Sequence, residues 1–447
     1  MKQYCEMAAV PTEWLYTLPA HWDCKKIGSL FSERKTKVSD KDYAPLSVAK
    51  IGVVPQLETA VKTDAGDNRK LVCTGDFVIN SRSDRKGSCG VADRDGSVSL
   101  INIVLTPRNE WNGRYVHYLM RSQPFSEEYY RYGRGIVSDL WTTRFSEMKS
   151  ILLPVPPRKE QDQIVRFLDW KVASINRLIN IKRAEIKRLE ELKLSRLFAI
   201  VTQGLNEKVE LIDSGIEHIG LIPSHWKVLL NHRIYKENCR SFSSNETVLS
   251  LSQKDGLLPY VEMKERSLHT ASYENWKLVL PNDLVLNRFK AHLGVFFSSN
   301  YRGIVTFHYG VYEPIMKVLS KYYEVLFHTP KYKQVFAGAS NGMTVGLQNL
   351  SNTNFYKVYT VYPPYEEQCA IVAEVQKIEN EMQAIISTIS KEIGILHEFK
   401  TRLISDVVTG RIDVRGIEIP ECEFVEETVD TENDKSMERM EGGTYEE

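Results

Sequence analysis

Two polar loops in each half of the sequence carry residue types that contact nucleic acids. Arginine, lysine, asparagine and glutamine hydrogen-bond to base edges, and serine and threonine hydroxyls bond to phosphates. These types are concentrated at 80–90, 131–145, 287–294 and 340–350. The candidate DNA-contacting residues are Arg82, Arg85, Lys86, Arg134, Thr142, Thr143, Arg144, Asn287, Arg288, Lys290, His292, Asn341, Gln348 and Asn349. Ordinary solvated loops have the same composition, so this interpretation depends on what positions the loops.

A proline pair near the C-terminal end is a second candidate for chemistry. Pro363 and Pro364 precede Tyr365, and an Asx-Pro-Pro-aromatic loop can hold a target base for methylation of its exocyclic amine. That chemistry needs a short amide or acid before the prolines, where Tyr362 stands, and no glycine-rich cofactor loop lies upstream. The methyltransferase interpretation is therefore disfavoured.

A copy of the proline motif favours a structural role instead. LPVPPRKEQDQIV at 153–165 matches TVYPPYEEQCAIV at 360–372, but Arg158 replaces the aromatic residue. Two prolines stop a β-type run and preset a first helical turn, where acidic residues are favourable. Capping or contact with a partner is thus predicted, rather than acid–base chemistry, for the shared positions. They are Pro156, Pro157, Glu160, Gln161, Pro363, Pro364, Glu367 and Gln368.

Further matches show that the chain is duplicated. EWLYTLPAHW at 13–22 corresponds to EHIGLIPSHW at 217–226, and RLFAIVTQG at 196–204 corresponds to RLISDVVTG at 402–410. A repeat of this length indicates a domain duplication, not a solenoid. His21 and His225 recur beside tryptophans, which favours anchoring of each half over metal binding.

Each proline motif opens a long helix with apolar residues at alternating spacings of three and four. A 3.5-residue period predicts a coiled coil, and the two helices, each of about 40 residues and 60 Å, would most simply pair. An ordinary helical-bundle core is the alternative. The predicted seams are Leu168, Val172, Ile175, Ile179, Ile186 and Leu189, and then Ile371, Val375, Ile378, Met382, Ile385, Ile389, Leu396 and Leu403.

The regions between these helices alternate short β-type runs with helical patches, which predicts an α+β fold. The predicted segments are 1–155 for a first domain, 156–205 for a central helix, 206–360 for a second domain, 361–415 for a C-terminal helix and 416–447 for an acidic tail.

Composition limits the possible functions. Formal net charge is zero, but the stretch from Glu418 to Glu447 has twelve acidic and two basic residues. The remainder of the chain is therefore moderately basic, which permits DNA binding. The tail is predicted to be disordered. Seven scattered cysteines suggest free thiols in a reducing cytoplasm, and no apolar run suggests a membrane span. No Walker loop, H-E-x-x-H or G-x-S-x-G motif is present, and no metal site is predicted.

Taken together, DSGIEHIGLIPSHWKV at 213–228, the two Pro-Pro-x-x-Glu-Gln helix starts and the helix ends RLFAIVTQGL and RLISDVVTGRI resemble the DNA-specificity (S) subunit of type I restriction–modification systems. The likeness covers residues 13 to about 415, and PTEWLYTLPAHW is a looser version of the motif in the first half.

The resemblance implies two target-recognition domains, each reading one half of a split, asymmetric sequence in double-stranded DNA. It implies two long helices that pair antiparallel as a coiled coil, with pseudo-twofold symmetry, and dock methyltransferase (M) subunits. Those partners would bring S-adenosylmethionine and methylate adenine. A restriction (R) subunit, driven by ATP with Mg²⁺, would join for cleavage, and this chain would have no catalysis or cofactor of its own.

Other functions remain open. A coiled-coil scaffold that binds no DNA would explain the helices but not two divergent polar regions. A specificity subunit of a related methyltransferase or defence system would have the same sequence features.

Overall fold

The computed structural model is a mixed helix-and-strand protein, which confirms that part of the predicted class. It describes residues 2–57, 66–82, 85–108, 110–135, 141–238, 240–241, 246–253, 255–263, 275–341 and 348–421. These residues form two compact units. Unit 1 comprises the described parts of Met1–Arg183 and Ser390–Glu447, and unit 2 those of Ala184–Ile389.

Unit 1 begins with a run of short strands and helices that ends in one long helix. The strands are β1 (Met7–Ala9), β2 (Thr17–Pro19), β3 (Asp23–Lys26), β4 (Phe31–Glu33), β5 (Lys37–Val38), β6 (Leu46–Ala49), β7 (Gly52–Pro55), β8 (Arg69–Val72), β9 (Phe77–Asn80), β10 (Cys89–Val91), β11 (Gly96–Val98), β12 (Asn102–Pro107) and β13 (Leu152–Val155). The helices are α1 (Ile27–Leu30), α2 (Gly113–Arg121), α3 (Gln123–Arg131), α4 (Phe145–Met148) and α5 (Arg158–Gln203), the last of which continues into unit 2.

Unit 2 follows the same plan. Its strands are β14 (Leu211–Asp213), β15 (Leu221–Pro223), β16 (Lys227–Leu230), β17 (Tyr235–Glu237), β18 (Leu249–Ser252), β19 (Gly256–Pro259), β20 (Lys277–Val279), β21 (Leu284–Asn287), β22 (Phe296–Ser298), β23 (Gly303–Val305), β24 (Tyr309–Pro314) and β25 (Tyr359–Tyr362). Its helices are α6 (Asn231–Ile234), α7 (Ser320–Phe327), α8 (Pro330–Ala339), α9 (Asn352–Tyr356) and α10 (Tyr365–Val408), with 3₁₀ turns at Tyr260–Glu262 and Arg288–Leu293.

The main sheets of the two units have the same strand order. In unit 1 the antiparallel order is β10-β9-β12-β4, and in unit 2 it is β22-β21-β24-β17. β9 and β21 are apolar up to a final asparagine. All four residues of β9 and the first three of β21 are buried, so both faces of each strand are covered.

A buried aspartate precedes the central strand in each unit. Arg34 donates from Nε to Asp76 at 2.8 Å, and Arg240 donates from Nη1 to Asp283 at 2.6 Å. The backbone N–H groups of Cys73 and Leu280 each donate to the same aspartate at 2.8 Å. These bonds satisfy a charge that would otherwise be costly to bury, and they fix the start of the strand that leads into each candidate loop.

Proline and glycine mark the ends of both long helices. Pro156 and Pro157 follow β13 directly, and Pro363 and Pro364 follow β25. The 46 residues of α5 and the 44 residues of α10 correspond to lengths of about 69 and 66 Å. Gly204 lies just past the end of α5 with φ +76°, a left-handed conformation that glycine adopts at low cost.

Each unit contains one part of α5 and one part of α10. In unit 1, Asn176 accepts a hydrogen bond from Lys400 at 3.0 Å, and Lys182 pairs with Glu392. The two helix segments therefore run antiparallel within unit 1. In unit 2, Arg196 Nη2 lies 3.8 Å from Glu374 Oε1. Apolar side chains from both segments enter the core of each unit, for example Ile179 with Leu403 in unit 1 and Val201 with Val375 in unit 2.

The predicted seam fails at one position. Ile385 is 44 % exposed, whereas Ile378 and Ile389 are buried. Ile371, seven positions before Ile378, is buried as well, so the heptad spacing alone does not determine which seam residues are covered.

The predictions for the acidic tail and the cysteines can be compared with the structure only over the described residues. Ile417 and Ile419, at the start of the predicted tail, pack against the unit 1 core, and residues 422–447 lie outside the described part of the chain. The five cysteines within the described residues are free thiols, and Cys239 and Cys422 lie outside them. No helix in the described ranges is long and apolar enough to cross a membrane.

Candidate nucleic-acid interface

The first candidate loop of unit 1 is a tight turn at the end of β9. The buried Asn80 side chain accepts a hydrogen bond from the Arg82 backbone N–H at 3.0 Å, which turns the chain out of the strand. The Ser88 N–H donates to the Arg85 carbonyl at 3.0 Å, and the Asn80 N–H donates to the Ser88 carbonyl at 2.9 Å. The loop therefore closes on itself, and its arginines project from an anchored backbone.

The second candidate loop of unit 1 pairs with the first. Arg134 and Thr142 exchange backbone hydrogen bonds of 3.2 and 3.0 Å, and the Thr143 N–H donates to the Ser81 carbonyl at 2.9 Å. Arg82 and Thr142 also form an antiparallel bridge. Predicted residues that are about 60 positions apart in sequence thus lie side by side.

The paired loops carry a concentration of positive charge. Arg82, Arg85, Lys86, Arg134 and Arg144 are all exposed, and we call these five residues the basic patch. Such a patch attracts a phosphate backbone over several ångströms and raises the rate of encounter with DNA.

Tyr130, an aromatic residue that was not among the predicted contacts, lies next to the basic patch. The Lys86 ammonium lies 5.0 Å from the centroid of the Tyr130 ring. This cation–π contact orients the lysine. The signal was present in the sequence as Tyr129-Tyr130 near the arginines, but it only becomes meaningful once the loops are paired.

One predicted residue of unit 1 differs in role from its neighbours. Thr143 is buried, and its hydroxyl donates to the Tyr129 carbonyl at 3.2 Å, so this side chain holds the loop rather than facing solvent. The buried Tyr129 hydroxyl donates to the Thr143 carbonyl at 3.2 Å. Burial raises the pKa of the Tyr129 hydroxyl, which therefore stays neutral.

Unit 2 builds a corresponding pair of loops with different side chains. Asn287 ends β21, and its side-chain oxygen accepts from the Phe289 N–H at 3.1 Å, which starts the 3₁₀ turn. Asn341 and Asn349 exchange backbone hydrogen bonds of 3.0 and 2.9 Å, and the Leu350 N–H donates to the Arg288 carbonyl at 3.0 Å. Residues 342–347 lie outside the described part of the chain.

Arg288 is engaged inside unit 2. Its Nη2 donates to Glu237 Oε1 at 2.6 Å and to Asn352 Oδ1 at 2.7 Å, and its side chain is 23 % exposed. Lys277 donates to the same Glu237 oxygen at 2.8 Å. Arg288 thus ties the loop to the sheet, and a phosphate or base would have to compete with a carboxylate for it.

The exposed predicted residues of unit 2 are mostly neutral. Lys290, Asn341 and Asn349 are exposed, and Asn287, His292 and Gln348 are partly buried. His292 Nδ1 is buried without a hydrogen-bond partner among the described residues. The two units therefore present different chemistry from the same strand framework, mainly cationic in unit 1 and mainly amide in unit 2.

The helix-start glutamates contact the Pro-x-His-Trp motifs. Glu160 Oε2 lies 2.8 Å from His21 Nε2, and the Tyr4 hydroxyl donates to Glu160 Oε1. Glu367 Oε1 lies 2.7 Å from His225 Nε2, and Glu367 Oε2 accepts from the indole N–H of Trp226 at 2.9 Å. These contacts account for the recurrence of both motifs by anchoring within each unit.

The helix-start glutamines are buried and bonded on both sides. Gln161 donates to the Pro156 carbonyl at 2.9 Å and accepts from the Asn112 N–H at 3.0 Å. Gln368 donates to the Pro363 carbonyl at 2.9 Å and accepts from the Leu319 N–H at 2.9 Å. These bonds tie the start of each long helix to neighbouring segments of the same unit. Within the described ranges, no cluster of three histidine, cysteine or acidic residues could hold a metal ion.

Comparison with known proteins supports the fold. No family model and no curated protein matches the chain in sequence. A chain from a structure on complex assembly and conformational transition of the type I R-M system is similar over 89 % of this chain and 100 % of its own length, with 13 % identity and a TM-score of 0.61. That likeness shows a shared fold.

Two further structures also match over most of their length. The HsdS subunit from Thermoanaerobacter tengcongensis matches 88 % of this chain and 98 % of its own, with 15 % identity and a TM-score of 0.48. The S subunit of a type I restriction–modification system from M. genitalium matches 87 % and 96 %, with 14 % identity and a TM-score of 0.33.

Proposed function

We propose that this chain is the DNA-specificity subunit of a type I restriction–modification system. The observation that carries the proposal is the repetition of one strand order in two units whose paired loops differ in their side chains. A common framework with two different polar surfaces suits a protein that reads two different sequences. The shared fold with a chain of a type I R-M structure supports it further.

Each unit would contact one half of a split, asymmetric target in double-stranded DNA. In unit 1 the basic patch would bond to phosphates and to guanine edges, which arginine recognises through O6 and N7. In unit 2, Asn287, Asn341 and Asn349 would bond to adenine edges, for which asparagine is suited. The difference in exposed charge predicts different half-sites.

The long helices would hold the two reading units apart and dock the methyltransferase subunits. Exposed apolar side chains on these helices, among them Ile181, Leu192, Ile395 and Phe399, would suit a protein interface. Readers on one face of DNA are most easily placed about one helical turn, or roughly 34 Å, apart. We therefore propose that helix length sets the gap between the half-sites.

The chain would perform no chemistry itself. The methyltransferase partners would bring S-adenosylmethionine and modify adenine, and a restriction subunit would use ATP and Mg²⁺. The chain's contribution would be to place those partners on one sequence, a role for which it needs anchored loops and rigid helices rather than catalytic groups.

Methylation mapping tests the proposal. The chain is expressed with the methyltransferase subunit encoded beside it, in a host without adenine methylation, and the DNA is sequenced for N6-methyladenine. A single split motif with a fixed gap is expected, and the methyltransferase subunit alone is the control. An unsplit motif would contradict the two-reader arrangement. No methylation from a stable complex would favour a scaffold.

A domain exchange tests whether each unit recognises one half of the target. Replacing residues 20–150 by the corresponding region of another specificity subunit should change one half of the motif and leave the other intact. A change in both halves would contradict the proposal. Binding of S-adenosylmethionine by the isolated chain would instead indicate a methyltransferase.

A further inference from the structure

Both units expose a pair of large side chains at the same turn, aliphatic in unit 1 and aromatic in unit 2. In unit 1 the turn between β11 and β12 carries Leu100, which is 42 % exposed, and Ile101, which is 39 % exposed. In unit 2 the turn between β23 and β24 carries Phe307, which is 51 % exposed, and the exposed His308. The central positions of such turns usually hold glycine, proline, asparagine or aspartate, so large side chains there are unusual.

The two turns are closed by equivalent backbone hydrogen bonds. The Asn102 N–H donates to the Ser99 carbonyl at 3.1 Å, and the Tyr309 N–H donates to the Thr306 carbonyl at 3.1 Å. The exposed pair therefore occupies the two central positions of a closed four-residue turn in each unit. Its repetition, with aliphatic side chains in one unit and aromatic ones in the other, argues against a chance exposure.

Each turn lies beside a candidate reading loop. In unit 1 the Ser81 N–H donates to the Ile101 carbonyl at 3.3 Å, and Arg82 of the basic patch follows directly. In unit 2, Asn287 pairs in register with Tyr309, and the rings of Phe289 and His308 lie 6.1 Å apart. Phe289 is itself 44 % exposed, and the rings of Phe307 and His308 are 3.9 Å apart.

In unit 1 the charge beside the turn indicates which kind of molecule binds there. The Leu100–Ile101 turn adjoins a positively charged patch, which attracts a polyanion and disfavours a cationic partner. The apolar group that a DNA duplex offers among its polar base edges is the C5 methyl group of thymine, in the major groove. Aliphatic and aromatic side chains both make favourable contact with that methyl group.

We infer that Leu100 and Ile101 contact thymine methyl groups in one half of the target, and that Phe307 and His308 do so in the other half. This inference rests on the proposed function and adds the chemical group that each turn reads. Because apolar contact is sensitive to shape, an aliphatic pair and an aromatic pair would accept different base steps.

Replacing thymine by uracil tests the inference directly. Uracil keeps the hydrogen-bonding groups of thymine and lacks its methyl group. The chain, assembled with its methyltransferase partner, is titrated with labelled duplexes of the mapped target in which one half at a time contains uracil. Each methyl group that is contacted should contribute roughly fourfold to affinity, as expected for burial of one methyl group.

Double variants assign the effect to the turns. L100S/I101S should bind the natural target more weakly and lose its sensitivity to uracil in one half only. F307S/H308S should lose sensitivity in the other half only. The matched controls are Met7→Ser and Leu211→Ser, which occupy equivalent strand positions, pair with Pro19 and Pro223 and are each 39 % exposed. Both controls should keep the full uracil effect.

The outcomes separate this inference from the proposed function. If methylation mapping gives no split motif, the proposed function itself fails. The inference is overturned if the motif is split but one half-site contains no thymine on either strand. It is also overturned if replacing thymine by uracil does not change the affinity. A variant that binds more weakly yet keeps its uracil sensitivity would also overturn it, and would point to insertion into the minor groove.

Discussion

Glu160 Oε2 lies 2.8 Å from His21 Nε2, although 139 positions separate the two residues in sequence. The pair joins the first turn of α5 to the segment that follows β2. Glu367 and His225 repeat the contact at 2.7 Å in unit 2. Because a helix start fixes the direction of the whole helix, this contact sets how each long helix leaves its unit.

Removing the Glu160 carboxylate should lower the free energy of unfolding of unit 1. In Glu160→Leu, the Tyr4 hydroxyl and the His21 ring lose their partner, and an unsatisfied buried group typically costs about 1–3 kcal/mol. Glu160→Gln keeps an acceptor oxygen and should cost less. Urea unfolding followed by the fluorescence of the tryptophans measures both. Equal losses in the two variants would show that hydrogen bonding there does not matter.

Replacing glycine by alanine should change the stability in opposite directions at two positions, one within α10 and one just after its end. Gly410 has φ +71°, and an added Cβ would lie 2.4 Å from Pro19 Cδ, so Gly410→Ala should cost at least about 1–2 kcal/mol. Gly394 lies inside the helix with no neighbour within 4 Å of an added Cβ, so Gly394→Ala should stabilise by about 0.5–1 kcal/mol. Thermal unfolding of both variants compares them. A stabilising Gly410→Ala would contradict the packing described for this helix end.

His117 should make unit 1 sensitive to acid. Burial, with Arg121 and Arg114 nearby, lowers the pKa of His117 to about 3, from 6.5 in an unfolded chain. The unfolded state therefore binds a proton first, and stability should fall as pH drops from about 6.5 towards 3, by up to about 1.4 kcal/mol per pH unit. His117→Gln should reduce this dependence in urea unfolding between pH 7 and 5, whereas the exposed His232→Gln should not. Parallel curves for wild type and His117→Gln would exclude this assignment.

Arg82 and Arg288 should affect DNA binding in different ways. Arg82→Ala should weaken binding and, if the contact is to phosphate, reduce the slope of log affinity against log salt by about 1. Arg288→Ala should mainly destabilise unit 2, since Glu237 and Asn352 lose a donor. Salt titrations and urea unfolding of both variants distinguish the two effects. The control is Arg94→Ala, an exposed arginine that pairs with Asp93. A stable Arg288→Ala with a smaller salt slope would instead assign Arg288 to a phosphate.

Helix length should control the gap in the target if the proposed function holds. Inserting four residues into both α5 and α10 lengthens each by about 6 Å, which is near two base pairs. Methylation mapping of the variant with its partner should show a gap that is longer by about two base pairs. A methylated motif with an unchanged gap would refute the spacing role, and a four-residue insertion in one helix alone is the control for disruption of the pairing.

Local signals in the sequence account for where α5 begins and ends, whereas α10 is shorter than the predicted range 361–415. α5 begins directly after Pro157 and ends directly before Gly204, because proline and glycine act on the backbone where they stand. The mixed strand and helix content was likewise predictable from alternating runs. The exposure of Ile385 was not, because it depends on which distant segments cover that part of the helix, and a local repeat does not specify them.

For the candidate interface, the sequence predicted which residue types are present but not how the loops are arranged. The loops around Arg82 and Thr142 were identified separately, but their pairing depends on strand register across the sheet. The ion pair of Arg288 with Glu237 spans 51 positions, and no local pattern indicates it. Residue type thus predicted which side chains could contact DNA, and the long-range contacts determine which of them are available to do so.

The division of the chain into units also has a consequence for its synthesis. Unit 2 is an uninterrupted segment from Ala184 to Ile389, whereas unit 1 needs Leu403, Val407 and Val408 to fill its core. A ribosome adding about 5–20 residues per second would take roughly 10–40 s to make unit 2 after the first part of unit 1 has emerged. During that interval the first part waits with apolar surface uncovered. A chain that stops near Ile389 would leave unit 1 permanently incomplete, so proteases and chaperones can distinguish it from a finished chain.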